Sequence, residues 1–244
     1  MSDILEEIRS RGHWKVVVHP ARFDEGRVPI KSALLPILER SKVRLWGWSF
    51  PFLDDYMEES EGPDWIGREV KYDPLIELWR FYQSGQFLHY SGMTTDWSKH
   101  VGTFSGWPSQ WHEGKTRELK VLLDIKEVII RFAEILEFAA RLSSTQAGDD
   151  QMHLEIEVVG IENHLLRVSQ SKELDRFREM TNPSHKIPFE FDLPLLELKA
   201  NTRELALKPA AELFSYFGWN PGGAILRDIQ AEVLTPALPR AGWV

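Results

Sequence analysis

A mixed α/β fold of the α+β type is predicted by three features of the sequence. Met152, Leu154, Ile156 and Val158 alternate with His153, Glu155, Glu157 and Val159, the period of a half-buried strand with one wet, acidic face. Leu122, Ile125, Ile129, Phe132, Leu136 and Ala139 recur at the three- and four-residue spacing of a helix stripe. Near the start, the β-branched run Val16-Val17-Val18, the apolar set Leu34, Leu35, Ile37 and Leu38, and then Val43 to Phe50 read as a β-α-β opening. The expected order is an N-terminal β-α-β unit, a long central helix, and C-terminal strands with a packed helix.

Each element has its own signal. Ser2 caps a short helix to about Arg9. Trp14 to Phe23 is a strand, and Pro29 and Ser32 open a helix to about Lys42. Val43 to Phe50 is the second strand, ended by Pro51, and its pairing with the first is either parallel or antiparallel. The acidic, Gly/Pro-containing stretch 54–64 reads as a loop. Trp79 to Tyr90 gives two short elements around the turn Ser84-Gly85, and the aperiodic stretch 91–115 is a long loop. The central helix runs from about Thr116 to Ser143. A second apolar row on it (Val121, Val128, Ile135, Leu142) is either core or a face for pairing with another copy of the chain.

Gly148-Asp149-Asp150 is a turn that either lies within one domain of 1–244 or separates two packed lobes, 1–146 and 147–244. Leu165 to Val168 is placed as hairpin partner of the 152–158 strand, and Asp175 to Met180 as a helix. Phe189, Phe191 and Leu193 alternate between Pro188 and Pro194, which marks an edge strand. Thr202 to Phe217 is a helix closed by Gly218, and Ile225 to Leu234 a last strand.

Composition narrows the function classes. The 244 residues include no cysteine, which removes disulfides, thiolate nucleophiles and cysteine-ligated metals. The acidic, amphipathic start Ser2 to Ile8 is unlike a secretory leader, and no apolar run is long enough to span a bilayer, so a cytoplasmic location away from membranes is expected. The formal net charge is −8, which argues against coating nucleic acid by bulk charge. Residues 9–44 nevertheless hold nine Lys/Arg against three acids. Arg9, Arg11, Lys15, Arg22, Arg40, Lys42 and Arg44 are the candidates there for contact with a phosphate backbone, the other reading being a solvated surface.

Ten tryptophans stand in the chain, seven of them between positions 46 and 111. Trp46 and Trp48, two apart, lie on one face of the second strand. Trp97, Trp107 and Trp111, with His100 and His112, fall in the long loop. Indoles offer rigid area and one N–H donor, which suits stacking on a base, a sugar or a proline-rich peptide. These seven residues are the candidate site for a protein partner or small ligand, against the alternative that the rings pack the core.

Catalytic patterns are weak. No glycine-rich phosphate loop or nucleophile elbow occurs, and no histidine pair has metal-binding spacing. His153, Glu155 and Glu157 share a strand face but lack a further ligand; Asp192, Glu197 and Lys199 only loosely resemble a metal-nuclease set. No catalytic residue, cofactor or metal is assigned. A hydrolase or nuclease would require convergence among His89, His100, His112, Glu113 and Asp192.

The phrases Gly12-His13-Trp14 to Arg22-Phe23, Leu45-Trp46-Gly47-Trp48-Ser49-Phe50-Pro51, Trp79 to Phe87, and Glu204 to Lys208 with Phe217-Gly218-Trp219 carry a resemblance. Over most of its length the chain is similar to a bacterial family whose regions occur joined to Schlafen-type, AlbA-like DNA-binding domains. The resemblance implies association with nucleic-acid-handling systems and supplies no catalytic residues. The resulting expectation is a non-enzymatic recognition or accessory protein, with a nucleic-acid binder and a metal-dependent hydrolase as alternatives.

Overall fold

Strand β1 (His13–Pro20) sits near the middle of a seven-stranded antiparallel sheet. The computed structural model describes residues 3–45, 47–54, 58–72, 74–97, 122–162, 164–167 and 181–234. In chain order the other strands of the sheet are β2 (Glu58–Glu61), β3 (Trp65–Tyr72), β4 (Leu75–Tyr82), β5 (Phe87–Gly92), β7 (Gln151–Val159) and β9 (Lys186–Pro194). Across the sheet they run β2-β3-β4-β5-β1-β7-β9. Two short strands, β6 (Leu122–Asp124) and β8 (Leu165–Arg167), pair in parallel beside it.

Alternation decides which face of the sheet is apolar. On β1, Trp14, Val16 and Val18 point inward, opposite Val158, Ile156 and Leu154 of β7. Helix α4 (Ile125–Leu142) lies on that face, with Phe132 edge-on to Trp14 at 5.3 Å and Phe138 4.6 Å from Phe87. The side chain of Asp124 caps it by accepting from the Lys126 amide. Helices α2 (Leu34–Ser41), α5 (Leu195–Tyr216) and α6 (Gly223–Leu234) pack around α4 and complete one continuous core. Both apolar rows of α4 are consumed there: Val128, Ile135 and Leu142 are as fully buried as Ile129 and Phe132. The described part of its second row therefore packs in the core, and Val121 lies outside the described residues.

The opposite face of the sheet is used differently along its width. Helix α1 (Asp3–Arg9) covers β4 and β5, setting Ile8 on Ile76, Leu78 and Tyr90. Over β1, β7 and β9 the same face carries Lys15, His19, His153, Glu155, Glu157, Glu190 and Asp192.

Several expectations hold. The strands at Trp14, Met152 and Phe189, the turn at Ser84-Gly85 (Gly85 at φ +85°) and the α5 helix with Gly218 beyond its end (φ +76°) are all present. β9 is an edge strand, as its prolines require. α5 begins at Leu195, earlier than Thr202, and bends at Asn201, whose φ of −133° is non-helical.

Others need correction. The α+β class holds, but its β-α-β opening does not: both neighbours of β1 are antiparallel strands from later in the chain, and among the described residues of 43–50 the pairing is the Val43–Phe50 bridge alone. Part of the acidic stretch, Glu58–Glu61, is an edge strand. The central helix starts at Ile125, because Leu122–Asp124 is extended and pairs with Leu165–Arg167. That pairing also takes Leu165 to Arg167 away from the 152–158 strand, whose partners are β1 and β9. Residues 223–234 are helical, since Ile225, Ile229 and Val233 recur every four residues. The stretch expected as a loop from 91 begins with the end of β5 and a short helix, α3 (Thr94–Trp97), and its remainder, positions 116–121 of the expected central helix, the helix expected over 175–180 and Ser2 lie outside the described residues.

Candidate functional site

The loop between Val43 and Phe50 is held shut by a reciprocal pair of backbone hydrogen bonds. The Val43 amide donates to the Phe50 carbonyl at 2.8 Å, and the Phe50 amide donates to the Val43 carbonyl at 2.7 Å. Arg44 Nε donates to the Gly47 carbonyl at 3.0 Å, and Gly47 takes φ +62°, where a side chain would be strained. Trp48 projects from this fixed loop with 47% of its surface exposed. Its ring meets Phe52 edge-on at 5.8 Å and Tyr72, itself 67% exposed, at 6.5 Å. Phe52 is buried, so Trp48 and Tyr72 form an aromatic shelf standing on the core. Tyr72 closes β3, and no sequence signal joined it to Trp48.

Of the other candidate ligand-binding residues, Trp97 is described and is not free. It is half-buried against Gly92, under the Arg11 guanidinium at 4.4 Å from its centroid. Trp46, His100, Trp107, Trp111 and His112 lie outside the described residues. Trp14 and Trp79 are core, with Trp79 Nε1 donating to the Phe52 carbonyl at 3.0 Å.

The basic residues of 9–44 do not gather on one surface. Arg9 lies on the Tyr90 ring and donates to its hydroxyl at 3.0 Å, on the α1 side of the sheet. Lys15 bonds Glu157 at 3.2 Å on the outer face beyond it. Arg22 makes a two-pronged contact with Asp149 at the end of β1, at 3.0 and 2.6 Å. Lys42 pairs with Glu39, and Arg44 is turned to its own loop. Arg40 lines a shallow groove of about 710 Å³ with Arg141, Lys199, Ser144, Thr145 and Thr202, on the opposite, α4 side.

Two buried histidine–carboxylate contacts were not legible in the sequence. His89 Nε2 lies 3.1 Å from Glu77 Oε1, off the line that a hydrogen bond needs, and the same oxygen accepts the Phe52 amide at 2.9 Å. His164 Nε2 lies 2.9 Å from Asp96 Oδ1, while Asp96 Oδ2 accepts the Gly12 amide. Both pairs are sealed from solvent. The convergence required of a hydrolase is not found between the two members described: His89 faces α4 inside the sheet, and Asp192 is on the outer face. Glu113, like His100 and His112, lies outside the described residues.

On the outer face, His19, His153 and Asp192 stand side by side on β1, β7 and β9, with Glu155 and Glu190 paired one step along. His153 Nδ1 is 2.9 Å from Asp192 Oδ1, and the His19 and His153 rings are 4.8 Å apart. Glu157, grouped with them in the sequence, is drawn to Lys15 and to Lys186 at 2.7 Å. Burial alone would raise its carboxyl, but the hydrogen bonds from Lys186 and Lys15 outweigh that and hold it below its ordinary range. Sequence reading missed His19 and Glu190 because strand register is non-local; the period-two pattern of β1 does place His19 opposite in facing to Val18.

Comparison with known family models, with curated proteins and with solved structures finds no match. Among the described residues, no helix is long and apolar enough to cross a membrane.

Proposed function

We propose that this chain works by recognition: it seats a segment of a partner protein on the Trp48–Tyr72 shelf, in the cytoplasm, without chemistry of its own. The observation that carries the reading is that two large aromatic rings touch each other at the surface while their loop is fixed from below. Isolated exposed apolar residues are ordinary, whereas a contiguous aromatic pair is a typical anchor for a partner side chain. Aromatic rings held in place lose little entropy on binding, because the ordering cost has already been met by the loop.

The test is site-specific crosslinking. A photoreactive residue at position 48 should capture one discrete protein, and the same residue at Phe23, 81% exposed elsewhere, should not. Identical patterns from both positions would remove the reading.

A second reading, association with nucleic acid, has one observation in its favour: Arg40 and Lys199 line one groove with three hydroxyl side chains, beside the Arg141–Glu137 ion pair. It requires oligonucleotide affinity that falls steeply with salt and weakens in Arg40→Ala with Lys199→Ala. Affinity indifferent to both would exclude it.

A further inference from the structure

The cross-strand row on the outer face has the donor arrangement of a metal site. His19 Nδ1 lies 2.7 Å from the Pro20 carbonyl oxygen, which can only accept, so that nitrogen carries the proton and the lone pair is on Nε2. His153 is fixed in the same way by Asp192 on its Nδ1, again leaving Nε2 as the free donor atom. A carboxylate or carbonyl on the far nitrogen is the usual support of a metal-binding imidazole.

The free nitrogen of His153 faces oxygen atoms. Glu155 Oε1 and Glu190 Oε1 are each 3.7 Å from it. That is too long for a hydrogen bond, and close to the roughly 3.4 Å between ligands of a tetrahedral ion with bonds near 2.0–2.2 Å. One donor atom from each of His19, His153 and Glu155 lies within 4.8 Å of the other two. A carboxylate facing an imidazole lone pair is unfavourable unless a proton or a metal ion stands between them.

We propose that His19, His153 and Glu155 bind a divalent first-row transition-metal ion of the zinc type, with Glu190, 3.7 Å from His153 Nε2, within reach as a fourth ligand and with Asp192 and the Pro20 carbonyl orienting the two imidazoles. Two imidazoles with carboxylates and no thiolate suit zinc or its neighbours, whereas magnesium and calcium prefer oxygen alone. The three convergent ligands come from the adjacent strands β1 and β7, and Glu190 would tie the edge strand β9 to the same ion. Exposed Glu190 and Asp192 leave the ion open to exchange with solvent. This proposal is independent of the aromatic shelf.

Tag-free protein, stripped with a chelator, is titrated with Zn²⁺ by calorimetry and with Co²⁺ by absorption. The expected result is saturable binding of one ion per chain, a tetrahedral cobalt spectrum, and a Tm rise of about 5–10 °C at a hundredfold excess over Kd. His153→Ala should abolish binding, Asp192→Asn should weaken it about 10–100-fold, and Glu157→Gln should leave it unchanged. Should His153→Ala fail to fold by circular dichroism, His19→Gln near the end of β1 gives the same reading. No saturable binding, or binding indifferent to His19→Gln and His153→Ala, means an adventitious ion only and overturns the proposal.

Discussion

Glu77 Oε1 lies 3.1 Å from His89 Nε2 on the inner face of the sheet, and neither side chain reaches solvent. The same carboxylate oxygen accepts the Phe52 amide, and Phe52 is the ring beneath Trp48. A buried polar contact in the core is thereby connected to the aromatic surface. Glu77→Ala leaves the Phe52 amide without its acceptor and is expected to cost about 2–4 kcal/mol of stability in urea unfolding. Glu77→Gln, which keeps an acceptor oxygen, should cost less. Equal stability of both variants would show that the contact holds nothing in place.

Two tryptophans should respond in opposite ways. Trp79 is 1% exposed and bonded to Phe52, so Trp79→Ala should cost about 3–5 kcal/mol. Trp48→Ala removes a ring that half faces solvent and should cost no more than about 1 kcal/mol. Thermal unfolding of the two variants separates them; comparable losses would mean that Trp48 is a core residue.

Asp149 is the shared acceptor of Arg22 and Arg27, and the Arg22 hydrogen bond holds its carboxyl well below the ordinary range. Arg22 is mostly exposed, while Arg27 is largely buried and also donates to the Gly148 carbonyl at 2.7 Å. Arg22→Ala should therefore change stability little, because the pair is screened by solvent on the Arg22 side. Asp149→Ala, which removes the carboxylate paired with the largely buried Arg27 and leaves it only carbonyl acceptors, should cost more, about 1–3 kcal/mol by urea unfolding. The reverse order would contradict this account of the turn.

Acid should destabilise the fold in two stages. Burial lowers the His13 pKa below its ordinary value, although its hydrogen bond to the Arg11 carbonyl works against that. Below about pH 6.5 the unfolded chain takes up this proton more readily than the folded one, so stability falls as pH falls. Asp149 and Glu157 are held below their ordinary values, and their contributions disappear lower, as pH drops through the carboxylate range. Urea midpoints measured from pH 7 to 3 should decline throughout, and His13→Gln should flatten the upper stage alone. A midpoint constant down to pH 4 would be inconsistent with both shifts.

What the sequence revealed, and what it concealed, follows from the range of each interaction. β7 and α4 were legible because their apolar residues keep period two and period 3.6 over many residues. β3 was not, because the inward position opposite Trp79 is Arg68, which breaks the apolar alternation. Its guanidinium is satisfied by the Leu53 carbonyl at 2.7 Å and Glu59 at 2.6 Å, a partnership visible only in three dimensions. Trp48 lies in an aromatic run that favours extended chain, yet Arg44 and Gly47 fold the chain before it into a loop. Trp48 was identified as a binding candidate, but its partner Tyr72 arrives from β3, and His19 meets His153 through a strand register that no local pattern encodes.

The central claim is that Trp48 and Tyr72 together hold a partner chain. The most direct measurement is the affinity of the protein captured at position 48, purified, for wild-type chain and for Trp48→Ala with Tyr72→Ala. Two aromatic anchors of this kind should make the double variant weaker by about a hundredfold or more, with its circular dichroism and Tm near wild type. Undiminished affinity in a folded double variant would place recognition elsewhere on the molecule.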